Sequence, residues 1–362
     1  MTLIVHAPNI RQGGGRTLLL SALEAISNTG GFAFLDRRLD SSSVPPSVVI
    51  ETVAPTILGR LLAEWRLMRR AGPDDTVLCF GNLPPLFRNK GRVTLFLQNR
   101  YLFGKRDLGA FSHGERLRIR LERLWFSLRT DARTMSIFVQ TPSMAEELRR
   151  ETGIEARIFP FAPPNATTTP ASLREEPRFD FIYVASGEPH KNHRQLIEAW
   201  KLLARQGLFP SLCLTLDPMA QPHLVDAIQR AMEDHGLQIT NLGVVSHAEI
   251  EQCYRRSGAL IYPSTLESFG LPLIEASAQG LPILASELDY VRDVVSPATS
   301  FDPESPLSIA RAVKRFLHRS DESPNISSSA EFVQEILRGP ATSTPSQSTH
   351  VKSVGHTSQR RI

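Results

Sequence analysis

The sequence has little cysteine, no long apolar run and no basic leader. Only three of its 362 residues are cysteine, and they lie far apart, at Cys79, Cys213 and Cys253. An odd, scattered set predicts reduced packing residues rather than a disulfide framework or a metal site. No run of about 18 apolar residues occurs, which argues against a membrane-spanning helix. The start MTLIVHAPNI does not resemble a signal peptide, so the chain is expected to be cytoplasmic.

The composition predicts an ordered chain with an uneven charge. The sequence is 41% hydrophobic and 22% charged, and its length suits two domains of about 150 residues each. Residues 1–160 carry 23 Lys and Arg against 15 Asp and Glu, whereas the remainder carries 18 against 22. This asymmetry predicts that the first half meets an anionic surface or ligand.

Strand-like runs alternate with helical patterns along the chain, which is typical of parallel α/β architecture. The strands of the first half are expected at 3–6, 32–35, 48–53, 76–80, 93–98 and 136–140. Those of the second are expected at 179–185, 212–216, 239–242, 259–262 and 282–285. The predicted organisation is a first Rossmann-like lobe over 1–165, a linker over 166–178, a second lobe over 179–320, a terminal helix over 321–338 and a disordered tail over 339–362. Ligands of such sheets bind beyond the carboxyl ends of the strands, so the loops there are the candidate sites.

The most informative segment runs from Tyr262 to Gly280. A strand is predicted to end at Tyr262, a loop carrying Glu267 follows, and Glu275 is predicted to fall in the first turn of the next helix. The helix start is expected to present the backbone N–H groups of Ser268, Phe269 and Gly270, which suits a phosphate. Ionised carboxylates suit sugar hydroxyls. The alternative is a solvated loop charge at Glu267 and a helix-start charge at Glu275.

This segment resembles the E-x7-E signature of retaining family 4 glycosyltransferases, strongly over 181–302 and more loosely over the first lobe. The resemblance implies the GT-B fold, in which two doubly wound lobes face each other across a cleft. It also implies that Glu267 contacts the donor hexose in the catalytic centre and that Glu275 contacts the ribose of the nucleotide. The donor would be a nucleotide sugar such as a GDP- or UDP-hexose, and the acceptor a glycan or a lipid-linked glycan of surface polysaccharide biosynthesis. No nucleic-acid partner is predicted.

A second candidate site lies between Tyr183 and Asn192. Lys191 is expected at the mouth of a helix that Asn192 caps, with Gln195 completing a capping box, and an ammonium there suits a diphosphate. A solvated lysine is the alternative. The resemblance assigns Lys191, with Gly187 nearby, to the donor phosphates. Family members commonly carry an Arg just before this Lys, and here Ser186, Gly187 and Glu188 stand in that stretch.

Two features of the first lobe belong to the same hypothesis. The loop after the first strand contains Gly13, Gly14, Gly15 and Arg16, whose spacing is not that of a dinucleotide fingerprint. A plain tight turn is the alternative, but the resemblance places Gly14, Gly15 and Arg16 beside the donor pyrophosphate and the acceptor. The resemblance also puts a catalytic-site residue at the end of the strand at 93–98, where many members carry a His and this chain has Gln98.

The absence of any Asp-x-Asp pair leaves no ligands for the metal-bound diphosphate of the other common transferase fold. No cofactor and no metal are therefore predicted, and Lys191 with backbone amides is expected to neutralise the leaving group. A catalytically impaired sugar-nucleotide-binding protein and a GT-B epimerase remain the alternatives, because of Gln98 and the missing Arg.

Two basic helices, at 57–70 and 115–133, carry apolar residues at helical spacing among many arginines. The favoured interpretation is that the apolar stripes face the core and the arginines face solvent. The alternative is peripheral contact with anionic lipid at the inner face of the cell membrane.

Overall fold

The computed structural model describes residues 2–27, 31–104, 106, 108–109, 111–130, 134–162 and 177–318. The chain divides into two compact units, Met1–Ser320 and Asp321–Ile362. The predicted terminal helix, the predicted tail and residues 166–176 of the predicted linker lie outside the described residues.

The first lobe is a seven-stranded parallel sheet with helices between its strands. Its strands are β1 Leu3–Ala7, β2 Gly31–Asp36, β3 Val48–Val53, β4 Thr76–Cys79, β5 Arg92–Phe96, β6 Met135–Val139 and β7 Arg157–Ile158. Its helices are α1 Gly13–Ala25, α2 Ile57–Arg70, α3 His113–Arg129 and α4 Pro142–Thr152. The strand order is β3-β2-β1-β4-β5-β6-β7, so the direction of winding reverses between β1 and β4.

The second lobe is a six-stranded parallel sheet of the same design. Its strands are β8 Phe179–Tyr183, β9 Leu212–Leu214, β10 Ile239–Asn241, β11 Ser257–Tyr262, β12 Ile283–Ser286 and β13 Thr299–Phe301. Its helices are α5 His193–Arg205, α6 Pro222–His235, α7 His247–Arg255, α8 Leu271–Ala278, α9 Asp289–Arg292 and α10 Pro306–Phe316. The order β10-β9-β8-β11-β12-β13 reverses between β8 and β11, and the prediction of two doubly wound lobes is confirmed.

Local sequence accounts for most element boundaries. The central strands are almost continuous apolar runs because a parallel sheet between helices is buried on both faces; all five residues from Phe32 to Asp36 are buried. Thr56 caps α2 through its side chain. Thr141 caps α4 through its side chain, and Pro142 occupies the first position of that helix. The three cysteines are free, and Cys79 and Cys213 are buried, in agreement with their predicted packing role.

The two lobes share apolar contacts at the start of α8. The second lobe has its own large core around Trp200 and Tyr183. Phe269 and Leu271, by contrast, are buried in a cluster whose other fully buried members belong to the first lobe. The loop that carries Glu267 is therefore anchored on the first lobe by burial of its apolar side chains.

The prediction that the apolar stripes of the basic helices face the core is wrong for most of their residues. On α3, Leu117, Leu121, Leu124 and Leu128 are between 54% and 72% exposed, and Ile119 and Phe126 are buried instead. On α2, Ile57, Leu58, Leu61, Leu62 and Trp65 are exposed, while Ala63, Glu64 and Leu67 are buried. Helical periodicity alone predicts that a face exists, but not which face the core covers. Among the described residues, no helix is both long and apolar enough to cross a membrane.

Candidate active site

The candidate site lies where β8 and β11 pair side by side, at the point where the strand order of the second lobe reverses. Ligands of doubly wound sheets bind at such a point. The loop after β8 ends in a short 3-10 helix, Pro189–Lys191, and the loop after β11 carries Glu267. The two loops meet directly, because Lys191 Nζ donates to Glu267 Oε1 at 2.7 Å. The structure thus brings together two residues that lie 76 positions apart.

The Glu267 carboxylate is approached by donors on one side only. Besides Lys191, the Tyr262 hydroxyl donates to Oε1 at 2.9 Å. Ser264 Oγ also lies 2.7 Å from Oε1. Within the described part of the chain, no hydrogen bond reaches Oε2. One carboxylate oxygen is therefore fixed by the protein, and the other is left to accept a hydrogen bond from a ligand.

Glu267 is held in its ionised form. Its side chain is only 11% exposed, and burial alone would raise the pKa of the carboxyl. The ammonium of Lys191, the nearby His190 and the hydrogen bonds from Lys191 and Ser264 outweigh that effect, so the pKa lies below its usual value. A fixed carboxylate beside a cation suits recognition of sugar hydroxyls next to a phosphate.

The loop of Glu267 is fastened by side chains that bond its backbone. Tyr290 donates through its hydroxyl to Ser264 O at 2.7 Å. Asn192 donates through Nδ2 to Pro263 O at 3.0 Å and to Pro303 O at 2.7 Å. The prediction that Asn192 caps α5 in a capping box is wrong, since it has left-handed backbone geometry and makes no side-chain cap. Its amide is committed to the neighbouring loops, which a local sequence pattern cannot reveal.

The start of α8 presents free backbone donors beside this carboxylate. Gly270 precedes the helix with a φ of 74°, a left-handed geometry that favours glycine. The space beside its Cα is also crowded, because an added Cβ would lie 2.9 Å from Leu273 Cδ1. Within the described residues, the N–H groups of Ser268, Phe269 and Gly270 make no hydrogen bond. Together with the positive end of the helix, they suit an anionic group.

Glu275 occupies a different position from the one predicted. It is the fifth residue of α8, past the first turn, because the helix begins at Leu271 and Pro272 is its second residue. The Tyr254 hydroxyl donates to Glu275 Oε2 at 3.1 Å. Burial raises the pKa of Glu275, an effect that His247 and Tyr254 reduce and that Glu251 reinforces. The alternative of a helix-start charge at Glu275 is therefore wrong, because the residue lies past the first turn.

The glycines of the first lobe lie against the same region. A Cβ on Gly14 would lie 3.2 Å from Leu271 Cδ1 at the start of α8, and one on Gly15 would lie 3.6 Å from Gln98 Oε1. Gln98 Nε2 is buried and has no hydrogen-bond partner among the described groups. An unpaired buried amide is unfavourable unless a ligand supplies an acceptor. Gly14, Gly15 and Gln98 are thus grouped together beside the second lobe.

Two other candidates have partners of their own. A Cβ on Gly187 would lie 2.5 Å from Gln221 Cγ, so close packing alone accounts for this glycine. Arg16 Nη2 donates to Ser43 Oγ at 3.4 Å, in the connection between β2 and β3. The donor roles of Gly187 and Arg16 stay predictions.

Sequence reasoning missed several contacts that join the lobes around the site. The ring of Tyr101 meets that of His190 edge-on, with centroids 6.0 Å apart. Thr141 Oγ1 donates to Ser268 O at 3.2 Å, and Ser143 N donates to Asp293 Oδ2 at 3.0 Å. For His190, the only indication in the sequence is its position next to Lys191. The contacts of Thr141 and Ser143 depend on how the two sheets dock, which the sequence pattern does not indicate.

Sequence comparison finds relatives for the second lobe. Residues 166–331 match the sequence family of glycosyl transferases group 1. The serotype-specific mannosyltransferase WbdA of Escherichia coli is 32% identical over 159 residues, which is 43% of this chain and 19% of WbdA. The O-antigen chain mannosyltransferase B of Escherichia coli is 28% identical over 119 residues, covering 32% of this chain and 31% of that protein. The aligned regions therefore span about a fifth to a third of these relatives.

Solved structures resemble both lobes at once. The Anabaena protein Alr3699/HepE, crystallised with UDP and glucose, superposes with a TM-score of 0.65 at 14% sequence identity. The superposition covers 88% of this chain and 90% of that protein. The chain has the GT-B fold. In this fold the Lys191–Glu267 pair belongs to the second lobe, next to the segment that packs on the first.

Proposed function

We propose that the protein is a retaining glycosyltransferase that moves a hexose from a nucleotide sugar to a glycan or lipid-linked acceptor in surface polysaccharide biosynthesis. The observation that carries this proposal is the Lys191–Glu267 pair at the point where the strand order of the second lobe reverses. The family match over 166–331 and the mannosyltransferase relatives support it. Mannose on a GDP- or UDP-type donor is accordingly the first hexose to test.

The donor would be held by separate groups for its separate parts. Glu267 would accept hexose hydroxyls through Oε2, and Glu275 would accept those of the ribose. Lys191 and the free N–H groups of Ser268 and Gly270 would neutralise the diphosphate without a metal. The crystal complex of Alr3699/HepE with UDP and glucose supports a site of this kind, because it pairs the same fold with a nucleoside diphosphate and a sugar.

The transfer step would need no protein base. The acceptor oxygen forms a bond to the anomeric carbon on the face from which the diphosphate departs, and the bond from that carbon to the phosphate oxygen breaks. The leaving phosphate takes the acceptor proton. Gln98 would donate its unpaired Nε2–H to a hydroxyl of the transferred sugar, which orients the sugar without titrating.

A thermal-shift screen of nucleotide sugars tests the donor assignment. A donor present at about 100 times its dissociation constant stabilises the folded chain by about 2.7 kcal/mol. We expect one hexose donor and its nucleoside diphosphate to raise the melting temperature by a few degrees, and the free hexose to leave it unchanged. Equal shifts with free hexose, or none with any nucleotide, would count against the proposal.

A catalytically impaired sugar-nucleotide-binding protein is the second candidate. One observation favours it: the stretch of Ser186, Gly187 and Glu188, where family members commonly carry an Arg, holds no cation here, and Ser186 Oγ donates to the Glu188 carboxylate. Donor binding without turnover over a broad acceptor panel would support this candidate. An epimerase would instead convert the donor in the absence of any acceptor.

The exposed apolar residues of α2 and α3 support peripheral attachment to the inner face of the cell membrane. On α3 the exposed Arg118 and Arg120 stand between the exposed Leu117 and Leu121 in sequence, and α2 ends in Arg69 and Arg70. A helix with an apolar face and interleaved arginines is suited to an anionic bilayer surface. Such contact would hold the first lobe next to a lipid-linked acceptor.

Removal of two of these leucines tests the membrane contact. The Leu124→Ser/Leu128→Ser variant is expected to bind anionic phosphatidylglycerol vesicles at least tenfold more weakly, because full burial of each leucine contributes about 1.5–3 kcal/mol and about 1.4 kcal/mol corresponds to tenfold. Both residues are more than half exposed, so the melting temperature should not fall. The matched control is Val244→Ser/Leu307→Ser, which alters exposed residues of the second lobe. Equal vesicle binding by both variants would refute the contact.

A further inference from the structure

A cavity of about 350 Å³ in the first lobe lies apart from the site described above. Its walls come from the loops that follow three neighbouring strands: Pro8 and Asn9 after β1, Asp36 and Arg38 at the end of β2, and Ala54 to Thr56 after β3. Residues of α2 and α3 complete it. The cavity therefore sits at the carboxyl ends of β1, β2 and β3, where doubly wound sheets bind ligands.

One wall of the cavity is polar, and its negative charges are already paired. Both oxygens of Asp36 accept from Arg38, with Nε to Oδ1 at 2.9 Å and Nη2 to Oδ2 at 2.7 Å. Behind the wall, Arg60 Nε donates to Glu64 Oε1 at 3.2 Å, and Glu64 Oε2 accepts from Leu86 N at 3.0 Å. The carboxylates thus position the two guanidinium groups and have little capacity left to accept from a ligand.

The guanidinium groups retain free donors. In the described part of the chain, Arg38 Nη1 and both Nη groups of Arg60 make no hydrogen bond. Arg60 is further fixed by stacking over the Trp125 ring at 5.4 Å, and the Trp125 Nε1–H donates to Pro84 O at 3.1 Å. Fixed, unpaired guanidinium N–H groups suit a phosphate or diphosphate.

The rest of the lining is mostly apolar and includes exposed side chains. Ile57, Leu61 and Trp125 line the cavity, and Ile57 is 84% exposed at its rim. Further exposed leucines stand on the same two helices, at Leu58, Leu62, Leu121 and Leu124. A ligand with an anionic head and a hydrocarbon chain would bind both the guanidinium groups and the apolar side chains of the lining.

We propose that this cavity binds the phosphate or diphosphate head of a lipid acceptor, with the hydrocarbon chain lying along Ile57 and Leu61. The inference rests on the proposed function and narrows its acceptor to an anionic lipid-linked glycan. The short loop that begins at Pro8 and Asn9 leads into the first turn of α1, where Gly14 borders the start of α8 and Gly15 borders Gln98. The cavity is thereby joined through one short loop to the place where the sugar would be transferred.

Binding of a short prenyl diphosphate, kept below its micelle concentration, tests this proposal by calorimetric titration. The wild type is expected to bind it at least tenfold more tightly than inorganic diphosphate or the corresponding prenyl alcohol. Arg38→Gln is expected to weaken the binding at least tenfold. Because this change leaves the buried Asp36 without its partner, Ile57→Glu serves as a second variant at an exposed position, with the same expected loss.

Two controls separate this proposal from the proposed function. Val244→Glu places the same charge at an exposed site of the second lobe and should bind the prenyl diphosphate as the wild type does. Donor-induced thermal shifts should be retained in Arg38→Gln and Ile57→Glu. Two results would show that the lipid-phosphate assignment is wrong while donors still bind. One is that a neutral alkyl glycoside binds as tightly as the prenyl diphosphate. The other is that Ile57→Glu binds the prenyl diphosphate as tightly as the wild type does. If the wild type itself binds no nucleotide sugar, the proposed function is wrong instead.

Discussion

Replacing Lys191 by alanine is expected to lower the rate of sugar transfer by about 10²–10³-fold, the usual effect of deleting one preorganised group that stabilises developing charge. Lys191 is the cation of the candidate site that touches Glu267 directly, at 2.7 Å. The stretch just before this lysine, where a second cation is expected from the family resemblance, contains Ser186, Gly187 and Glu188 and no positive charge. As the bond to the diphosphate breaks, the negative charge on the leaving oxygen would lose its main side-chain partner.

Lys201→Ala is the matched control for this experiment. Lys201 lies on α5, in the same lobe, and also pairs with a glutamate, since its Nζ donates to Glu198 at 2.8 Å. Its removal should leave transfer within about twofold of the wild type, as expected for an exposed ion pair. Melting temperatures of both variants identify any loss of folding, because Lys191→Ala also leaves Glu267 without its buried partner. A folded Lys191→Ala enzyme with normal turnover would show that the diphosphate lies elsewhere.

Glu275→Gln is expected to weaken donor binding by about 10- to 100-fold, the cost of losing a hydrogen bond to a charged group. Tyr254 occupies Glu275 Oε2, and within the described residues no hydrogen bond reaches Oε1, which would accept a ribose hydroxyl. Glutamine keeps the volume and the Tyr254 contact but not the charge. Calorimetric titration with the donor found in the screen measures the change, and unchanged affinity would refute the ribose assignment.

The pH dependence gives an independent check on Glu275. Burial raises its pKa in the folded protein, so the folded state favours the protonated form more than the unfolded chain does. Donor binding needs the carboxylate, so wild-type affinity should fall as the pH drops through this raised pKa, and Glu275→Gln should be flat over that range. The contribution of Glu275 to the free energy of unfolding should instead rise as the pH drops, because the folded state binds the proton more tightly than the unfolded chain. At neutral pH the variant should be no less stable than the wild type, because it lacks a buried charge. The control is Glu233→Gln, an exposed residue of α6 in the same lobe, and it should show the wild-type pH dependence.

The alternation of strands and helices predicted most of the fold because each element carries its own local signal. Apolar runs predicted the strands of both sheets, and the side chains of Thr56 and Thr141 define where α2 and α4 begin. The short strands β7 and β13 were missed. Arg157 and Ile158 of β7 are both exposed, and only Phe301 of the three residues of β13 is buried, so neither strand carries an apolar run. The leucines of α3 were predicted to face the core, but they are exposed. Periodicity places residues on one face, but the packing partner decides whether that face is buried.

The pairing of Lys191 with Glu267 follows from topology once two adjacent parallel strands are assumed, since the loops at their carboxyl ends must meet. The supporting contacts could not be predicted in the same way. Asn192 bonds to loops that lie 71 and 111 residues away, and Thr141 bonds to Ser268 across the lobes. These partners are set by how complete sheets pack, which no short motif encodes.

The central claim is that this chain transfers a sugar from a nucleotide donor to an acceptor. The most direct measurement is release of nucleoside diphosphate from the bound donor, with and without a lipid-linked glycan acceptor, together with the anomeric configuration of the product. We expect release to depend on the acceptor, one sugar to be added per diphosphate released, and the donor configuration to be retained. Conversion of the donor at the same rate without acceptor, or an inverted product, would contradict the account.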